Sequence, residues 1–327
     1  MGTITMNVNT SAVTGADTQL GIVPNQLIPV VITALRDEIW LLRLCAKDLS
    51  NEIAQKGDTI TWEKVTGTLN VVDFTTDAVL TFQNYTIATD YAQLDRWIGI
   101  PYTVKELSQL LPHNPQGKWN AFRENVVKVL AEYIEDDLLG LYASMSYSHD
   151  CNGPLGRTQY PTIKRKAKQN SKSRGPWYML ISDYDAEALQ GDTNLLNYGF
   201  SQNTTMLQKG VLFSPLYNII TVDHSMIPYT SIESPGTYTR QYNNILFQQE
   251  AIQFFSRSLG IPEQMNNIAN PMFVTVTDQA SGLSFRMRIY YNHQRTQPRY
   301  EIVLEVLYGI KLYKDELAMV VNTQHTV

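Results

Sequence analysis

Thiols are nearly absent from this sequence. Cys45 and Cys151 are the only two, too few for a disulfide framework and in keeping with a reducing compartment, although one bridge between them stays open. Long apolar runs are missing as well. LIPVVITAL is short and IWLLRLC is interrupted by Arg43, whereas a membrane-spanning helix needs about 20 apolar residues. The opening stretch MGTITMNVNTSAVTGADTQLG lacks the basic start and apolar centre of a secretory signal. Met6 stands where N-myristoylation requires Ser or Thr. A soluble chain made in the cytoplasm is expected. Internal repeats, heptads and low-complexity tracts are also lacking.

Catalytic patterns are equally scarce. Neither G-x-x-x-x-G-K-[ST] nor G-x-G-x-x-G occurs, and GPLGRT at 153–158 satisfies neither. SGLSF lacks the second glycine of a nucleophile elbow and falls on an expected strand. His149, Asp150 and Cys151 are adjacent, yet the remaining histidines (His113, His224, His293, His325) are scattered singly, so a four-ligand zinc site is not expected and SHDC reads as a helix end. Glu132, Glu135, Asp136 and Asp137 form an acidic cluster on an expected helix, read as a solvated or contact face. No catalytic residue, metal or cofactor is expected.

What is present is a chain able to bury a core. Apolar residues make up 43% and charged residues 17%, and the 19 tyrosines supply rings that suit half-buried sheets and surfaces between chains. Net charge is -5, but residues 157–174, RTQYPTIKRKAKQNSKSR, hold seven basic residues and no acid. That stretch is expected to be a loop. Lys164, Arg165, Lys166, Lys168, Lys172 and Arg174 either meet nucleic-acid phosphates without base readout or are simply solvated.

Periodicity divides the chain. Pro24 and Pro29 precede a helical face of Leu35, Ile39, Leu42 and Cys45. From Gly57, GDTITWEKV alternates, and NYTIATDYAQLDRWIGIPYT offers its return strand. The intervening TGTLNVVDFTTDAVLTFQ has too few large apolar side chains for a core, so this two-stranded ribbon must lie on something else. GKWNAFRENVVKVLAEYIEDDLLGLYASMSY carries apolar residues at spacings of three and four, including Trp119, Phe122, Val126, Val129, Leu130, Tyr133, Ile134 and Leu138, and predicts a long helix. WYMLISDYDAEALQ reads as strand then helix, GVLFSPLYNIITVDHSMI as two short strands, and NNILFQQEAIQFFSR as a strand entering a helix. MFVTVT, LSFRMRIYY and RYEIVLEVLYGIKLY then predict a three-stranded antiparallel meander.

This order of pieces, from the arm and the hairpin opened by KGDTITW to the closing LYGIKLYKDELAMVV, resembles the tailed-bacteriophage major capsid protein family. NNILFQQEAIQFF is similar to the strand and helix that end that family's axial domain; Asp315 stands where proline is often met. The resemblance covers about residues 22–322. It implies an α+β, Hong Kong 97-like fold with an N-terminal arm (1–56), an extended loop or E-loop (57–100), a peripheral domain with a spine helix (101–150), an axial domain (151–270) and peripheral return strands (271–327).

It also implies hexamers and pentamers in an icosahedral shell around double-stranded DNA. A separate scaffolding protein, a portal and decoration proteins are the implied partners, with assembly in the host cytoplasm and residence in the virion. Ile60, Trp62, Tyr85, Ile87 and Trp97 are the expected ribbon contacts or ribbon base, and Trp119, Phe122 and Tyr133 the expected spine packing. An encapsulin-type compartment shell and a nucleic-acid-binding module built on the basic run are the alternatives.

Overall fold

The computed structural model describes residues 4–9, 31–33, 35, 39, 41–48, 53–66, 86–105, 126–171, 173, 175–191, 217–234, 237–260, 272–278, 282–292 and 299–326. Strands dominate. β1 (Ile4–Asn9), β2 (Ala46–Asp48), β3 (Ile53–Ala54), β6 (Arg96–Lys105), β12 (Ile252–Leu259), β13 (Met272–Asp278), β14 (Leu283–Asn292) and β15 (Arg299–Leu312) form an eight-stranded sheet. β7 (Ser148–Asp150), β8 (Trp177–Ile181), β9 (Ile219–Asp223), β10 (Tyr229–Ser234), β11 (Thr237–Phe247) and β16 (Ala318–Thr326) form a six-stranded sheet. β4 (Thr59–Thr66) and β5 (Thr86–Gln93) pair only with each other, as a two-stranded ribbon.

β15 is the member of the large sheet that joins most neighbours. One edge bonds β14 along Arg299–Val306 and then β12 along Leu307–Leu312, while the other bonds β6 along Arg299–Tyr308. Its 14 residues reach nearly 50 Å at about 3.4 Å per residue. The alternation sends Ile302, Leu304, Val306 and Tyr308 into the main core, with Phe285, Met287 and Ile289 of β14 alongside. The predicted meander is β13–β14–β15, antiparallel throughout.

Helix α1 (Lys128–Leu139) closes that core with Leu130, Ala131, Ile134, Leu138 and Leu139, and continues as a 3-10 turn over Gly140–Ser144. The earlier part of the expected long helix, with Trp119 and Phe122, lies outside the described residues. Arm residues Leu35, Ile39, Leu42 and Cys45 are all buried in the same core. Their helix does not run through, however: Leu41–Leu44 is a 3-10 turn and the chain then extends as β2 along β12. Pairing with the edge of the large sheet satisfies the backbone there in place of helical bonds.

The six-stranded sheet is covered on both faces. Leu180, Ile245, Phe247 and Ala318 join the core that holds α1, while Trp177, Met179, Leu246, Met319 and Val321 point the other way, beneath α2 (Tyr160–Ser171) and α3 (Asp183–Gln190). Three expectations are corrected. The basic run is a helix rather than a loop, because Tyr160, Ile163 and Ala167 give it an apolar stripe and Pro161 falls in the first turn, where its missing N–H costs nothing. SHDC opens with strand β7, parallel to β16, rather than a helix end. IQFFSRSL is strand β12, reached through a turn at Gln248–Ala251, because its alternation matches burial on both faces of the large sheet. GVLFSPLYNIITVDHSMI holds one described strand, β9, its earlier half lying outside the described residues.

Sheet membership also cuts across the chain-order division at 270. β12 precedes that point yet belongs to the large sheet, and β16 follows it yet lies between β7 and β11 in the small one. A buried carboxylate fixes this return. Asp185 Oδ1 accepts the Leu155 N–H (2.9 Å) and pairs with His325 Nε2 (2.8 Å). Its Oδ2 accepts from Ser182 Oγ (2.9 Å), Asn244 Nδ2 (2.7 Å) and Thr323 Oγ1 (2.6 Å). Five partners from four segments satisfy a fully buried charge that would otherwise be prohibitive. Asp185→Asn turns one acceptor into a donor facing donors, and is expected to lower unfolding stability by roughly 3 kcal/mol. Denaturant titration reads the loss, and hydrogen exchange is expected to quicken first in β16.

Candidate assembly interface

The ribbon stands on the large sheet at one end of β15. β6 stops at the Arg96–Tyr308 pair, and the preceding chain crosses over β15 at Gly309. A Cβ on Gly309 would lie 2.4 Å from the Gln93 carbonyl oxygen, so glycine is what permits the crossing. Leu94 and Ala92 bury there with Phe255, Leu259 and Leu307. Gly57 N–H donates to the Leu94 carbonyl at 2.8 Å and Leu94 N–H to that of Asp58 at 2.9 Å, which closes the two ends of the ribbon.

The expected single return strand is therefore two strands with different partners. β5 pairs with β4, and after Leu94 and Asp95 the chain leaves as β6 to pair with β15. Burial of Leu94 between them pins the change of direction.

Period two sorts the ribbon's side chains. Ile60 and Trp62 turn inward as its base. Trp62 stacks on Phe255 with ring centroids 5.3 Å apart and meets Tyr313 edge-on at 5.6 Å. The Lys311 ammonium sits 5.3 Å from the Trp62 ring and 5.2 Å from the Tyr91 ring, and bonds the Asp90 carboxylate and the Tyr91 carbonyl. Such a cation held between two rings and a carboxylate resists tilting of the ribbon.

The opposite positions face water. Ile87 is 49% exposed, Tyr91 62% and, at the start of β6, Trp97 47%. Tyr85 lies outside the described residues. Tyr91 is not among the residues expected here, although its place four residues after Ile87 puts it on the same face, since alternate residues share a face.

On α1 a second apolar pair is wet. Val129 and Tyr133 are each about half exposed, with Glu132 and Asp136 beside them, so Tyr133 of the expected spine packing lies on the outer face of α1 and not in the core of its own chain. The other acids of this helix are engaged. Glu135 is buried, accepting the Leu41 N–H at 3.3 Å and bonding His224 Nε2 at 3.2 Å. His224 Nδ1 accepts the Met226 N–H, so it is Nε2 that carries the proton toward Glu135. Asp137 accepts the Tyr308 hydroxyl at 2.5 Å and approaches Arg96 at 3.7 Å. These carboxylates fasten the helix to the arm and to both sheets. They do not converge on a common reacting point.

Of the basic run, Arg165 and Lys168 are exposed and Lys164 half-buried, whereas Lys166 bonds His149 Nδ1 at 3.0 Å. Lys172 and Arg174 lie outside the described residues. No group of three His, Cys, Asp or Glu suited to a metal occurs among the described residues, and no described helix is long and apolar enough to cross a membrane. Burial pushes both thiols up, Cys45 and Cys151 each to about 12.

No family model matches the sequence, and no curated protein does. Solved structures do match. The capsid of cyanophage P-SCSP1u is similar with a TM-score of 0.57, 10% identity, and 86% of each chain covered. The capsid of Ralstonia phage GP4 gives 0.54 at 10% identity over 86% of this chain and 87% of that one. A chain of Mycobacterium phage Che8 gives 0.53 at 10% identity over 81% and 85%. At such identity the likeness is one of fold. The chain has the α+β, Hong Kong 97-like fold of tailed-phage major capsid proteins.

Two outcomes test this geometry. Gly309→Ala is expected to cost about 2 kcal/mol by overpacking and to speed amide exchange across residues 86–94, while Lys311→Met loosens the same segment with less loss of stability. For the thiols, a raised folded pKa means that ionisation favours the unfolded chain. Their stabilising contribution is complete below the ordinary value of 9.0 and declines as pH rises toward about 12. Between pH 8 and pH 10, Cys45 is expected to account for roughly 1 kcal/mol of lost stability, measured as the difference between wild type and Cys45→Ala in urea titrations at the two pH values.

Proposed function

We infer that this chain is the major capsid protein of a tailed double-stranded DNA bacteriophage, a structural subunit without catalysis that assembles into the icosahedral shell enclosing the genome. The observation that carries this reading is the ribbon: it is locked at its base by Lys311, Trp62 and Gly309, yet it presents Ile87 and Tyr91, with Trp97 beside them, to water. A rigid projection with an uncovered apolar face supports contact with another copy, and a contact between unlike surfaces forms rings where the rotation between copies closes. Val129 and Tyr133 on α1 offer a surface of the same kind.

In this reading the large sheet with α1 is the peripheral domain, the small sheet with α2 and α3 the axial domain, and residues 58–97 the E-loop. Hexamers and pentamers form the shell, a separate scaffolding protein guides them, and portal and decoration proteins complete the virion, with assembly in the host cytoplasm. Lys164, Arg165 and Lys168 are assigned to DNA phosphates. Replacing all three with Gln is then expected to weaken DNA retention, most visibly at low salt, and to flatten its salt dependence.

Electron microscopy of the expressed chain, with and without a scaffolding protein, is expected to show hollow shells. Deleting residues 67–82 is expected to leave a folded subunit, by circular dichroism and thermal melting, that no longer assembles. Shells of ordinary size from the deleted chain refute the contact role of the ribbon. DNA protected from nuclease inside recovered particles distinguishes a genome container from an enzyme compartment.

A further inference from the structure

β10 is an edge strand with little of an edge strand's usual protection. It bonds the first half of β11 over six consecutive pairs, Tyr229 with Tyr242 through Ser234 with Thr237, with no bulge. β8 lies on the same side of β11 but only opposite Ile245–Phe247, so the outer edge of β10 meets no strand among the described residues. Tyr229, Thr230, Ser231 and Ile232 are all exposed, which leaves both faces wet. Natural edges are guarded by charged side chains (Lys above all), Pro, bulges or extreme shortness. YTSIES contains neither Lys nor Pro, and Glu233 is its one charge.

The composition beside this edge is that of a contact surface. Tyr238, 65% exposed, shares a face of the ribbon with Arg240 and Tyr242, and the Arg240 guanidinium lies 5.1 Å from the Tyr229 ring centroid. Tyr184 of α3 stacks on Tyr242 at 5.5 Å and extends the aromatic surface from the ribbon onto the helix. Tyrosine and arginine dominate the energetics of protein interfaces because they bury large area at small entropic cost. Charge is divided across the same surface: Arg240 is the one cation of β10–β11, which also carries Glu233 opposite Tyr238, while α3 exposes Asp183 and Glu187 and has no basic residue.

We propose that the β10–β11 ribbon is an interface between copies of this chain, in which a neighbouring copy covers the β10 edge and the tyrosine face, with Arg240 of one copy meeting the α3 carboxylates of the next. A second copy fits better than an unrelated partner on two grounds. Two wet faces and an edge that meets no strand among the described residues, on one projection, need neighbours on more than one side, which repeated head-to-tail packing supplies. Cation and carboxylates on one surface make that surface complementary to itself in a shifted copy. The proposal rests on the shell-forming function above and adds to the E-loop a contact made of different residues.

The test compares amide hydrogen exchange of assembled shells of this chain alone with that of unassembled subunits. Residues 229–234 are expected to exchange at least tenfold more slowly in the shell. Unchanged exchange there, in shells that form normally, overturns the proposal and leaves the shell function intact. Protection that appears only in particles containing a second protein overturns it in favour of that protein. A chain that forms no particle under any condition removes the function on which the proposal rests. The double variant Ile232→Asp, Tyr238→Asp alters only exposed positions, so its subunit is expected to melt as wild type while the concentration needed for assembly rises at least tenfold; assembly at the wild-type concentration overturns the proposal.

Discussion

The β4–β5 ribbon is anchored to one strand whose edges are almost filled. β15 gives successive stretches of one edge to β14 and β12 and most of the other to β6. Only where β6 ends is there room for the chain to cross, and there Gly309 lets the Gln93 carbonyl approach. The departure point and direction of the ribbon follow from that vacancy. Lys311, two residues on, holds the ribbon once it has crossed, because a cation shared by Trp62, Tyr91 and Asp90 has little freedom to tilt.

Buried polar groups give the two sheets a fixed relation. Apolar contacts alone are non-directional. Glu135 bonds both the arm, through Leu41, and the segment after β9, through His224. Asp185 gathers α3, β11 and the C-terminal strand. Within the large sheet Glu305 is bound by Arg286 at 2.6 Å and by Arg288, opposite the bare backbone of Gly99. A side chain at Gly99 would meet Glu305 Cγ at 3.0 Å, so this glycine makes space for the buried ion group. Charges removed from water and fully partnered add direction and register more than net stability.

The surface reverses the economy of the interior. Inside, nearly every large apolar ring is covered by its own chain. Outside, Ile87, Tyr91, Trp97, Val129, Tyr133, Tyr229, Ile232 and Tyr238 are left substantially exposed on elements that are themselves firmly held. Rigid elements with uncovered apolar faces lose little freedom when a neighbour binds, which lowers the cost of association. This combination suits a subunit whose final burial is intermolecular.

Local pattern was enough for much of this. Alternation located β13, β14 and β15 and sorted the side chains of β14 and β15 onto their faces, and the spacing of Leu130, Ile134 and Leu138 located the buried stripe of α1. The scarcity of motifs and the order of the elements pointed to the fold that solved capsid structures share. Other features depend on partners far away in the chain. Whether IQFFSRSL is helix or strand was settled by the vacant edge of β15, and the basic run became helical because Tyr160, Ile163 and Ala167 found the small sheet to cover. Pattern alone groups Ile60 and Trp62 with Ile87 and Trp97 as ribbon contacts or base; only the tertiary structure separates them, turning the first two onto the cluster that holds Phe255 and leaving the others in water. Periodicity fixes which side chains share a face, because that is a property of backbone geometry. Which face is covered depends on what the rest of the chain brings to it.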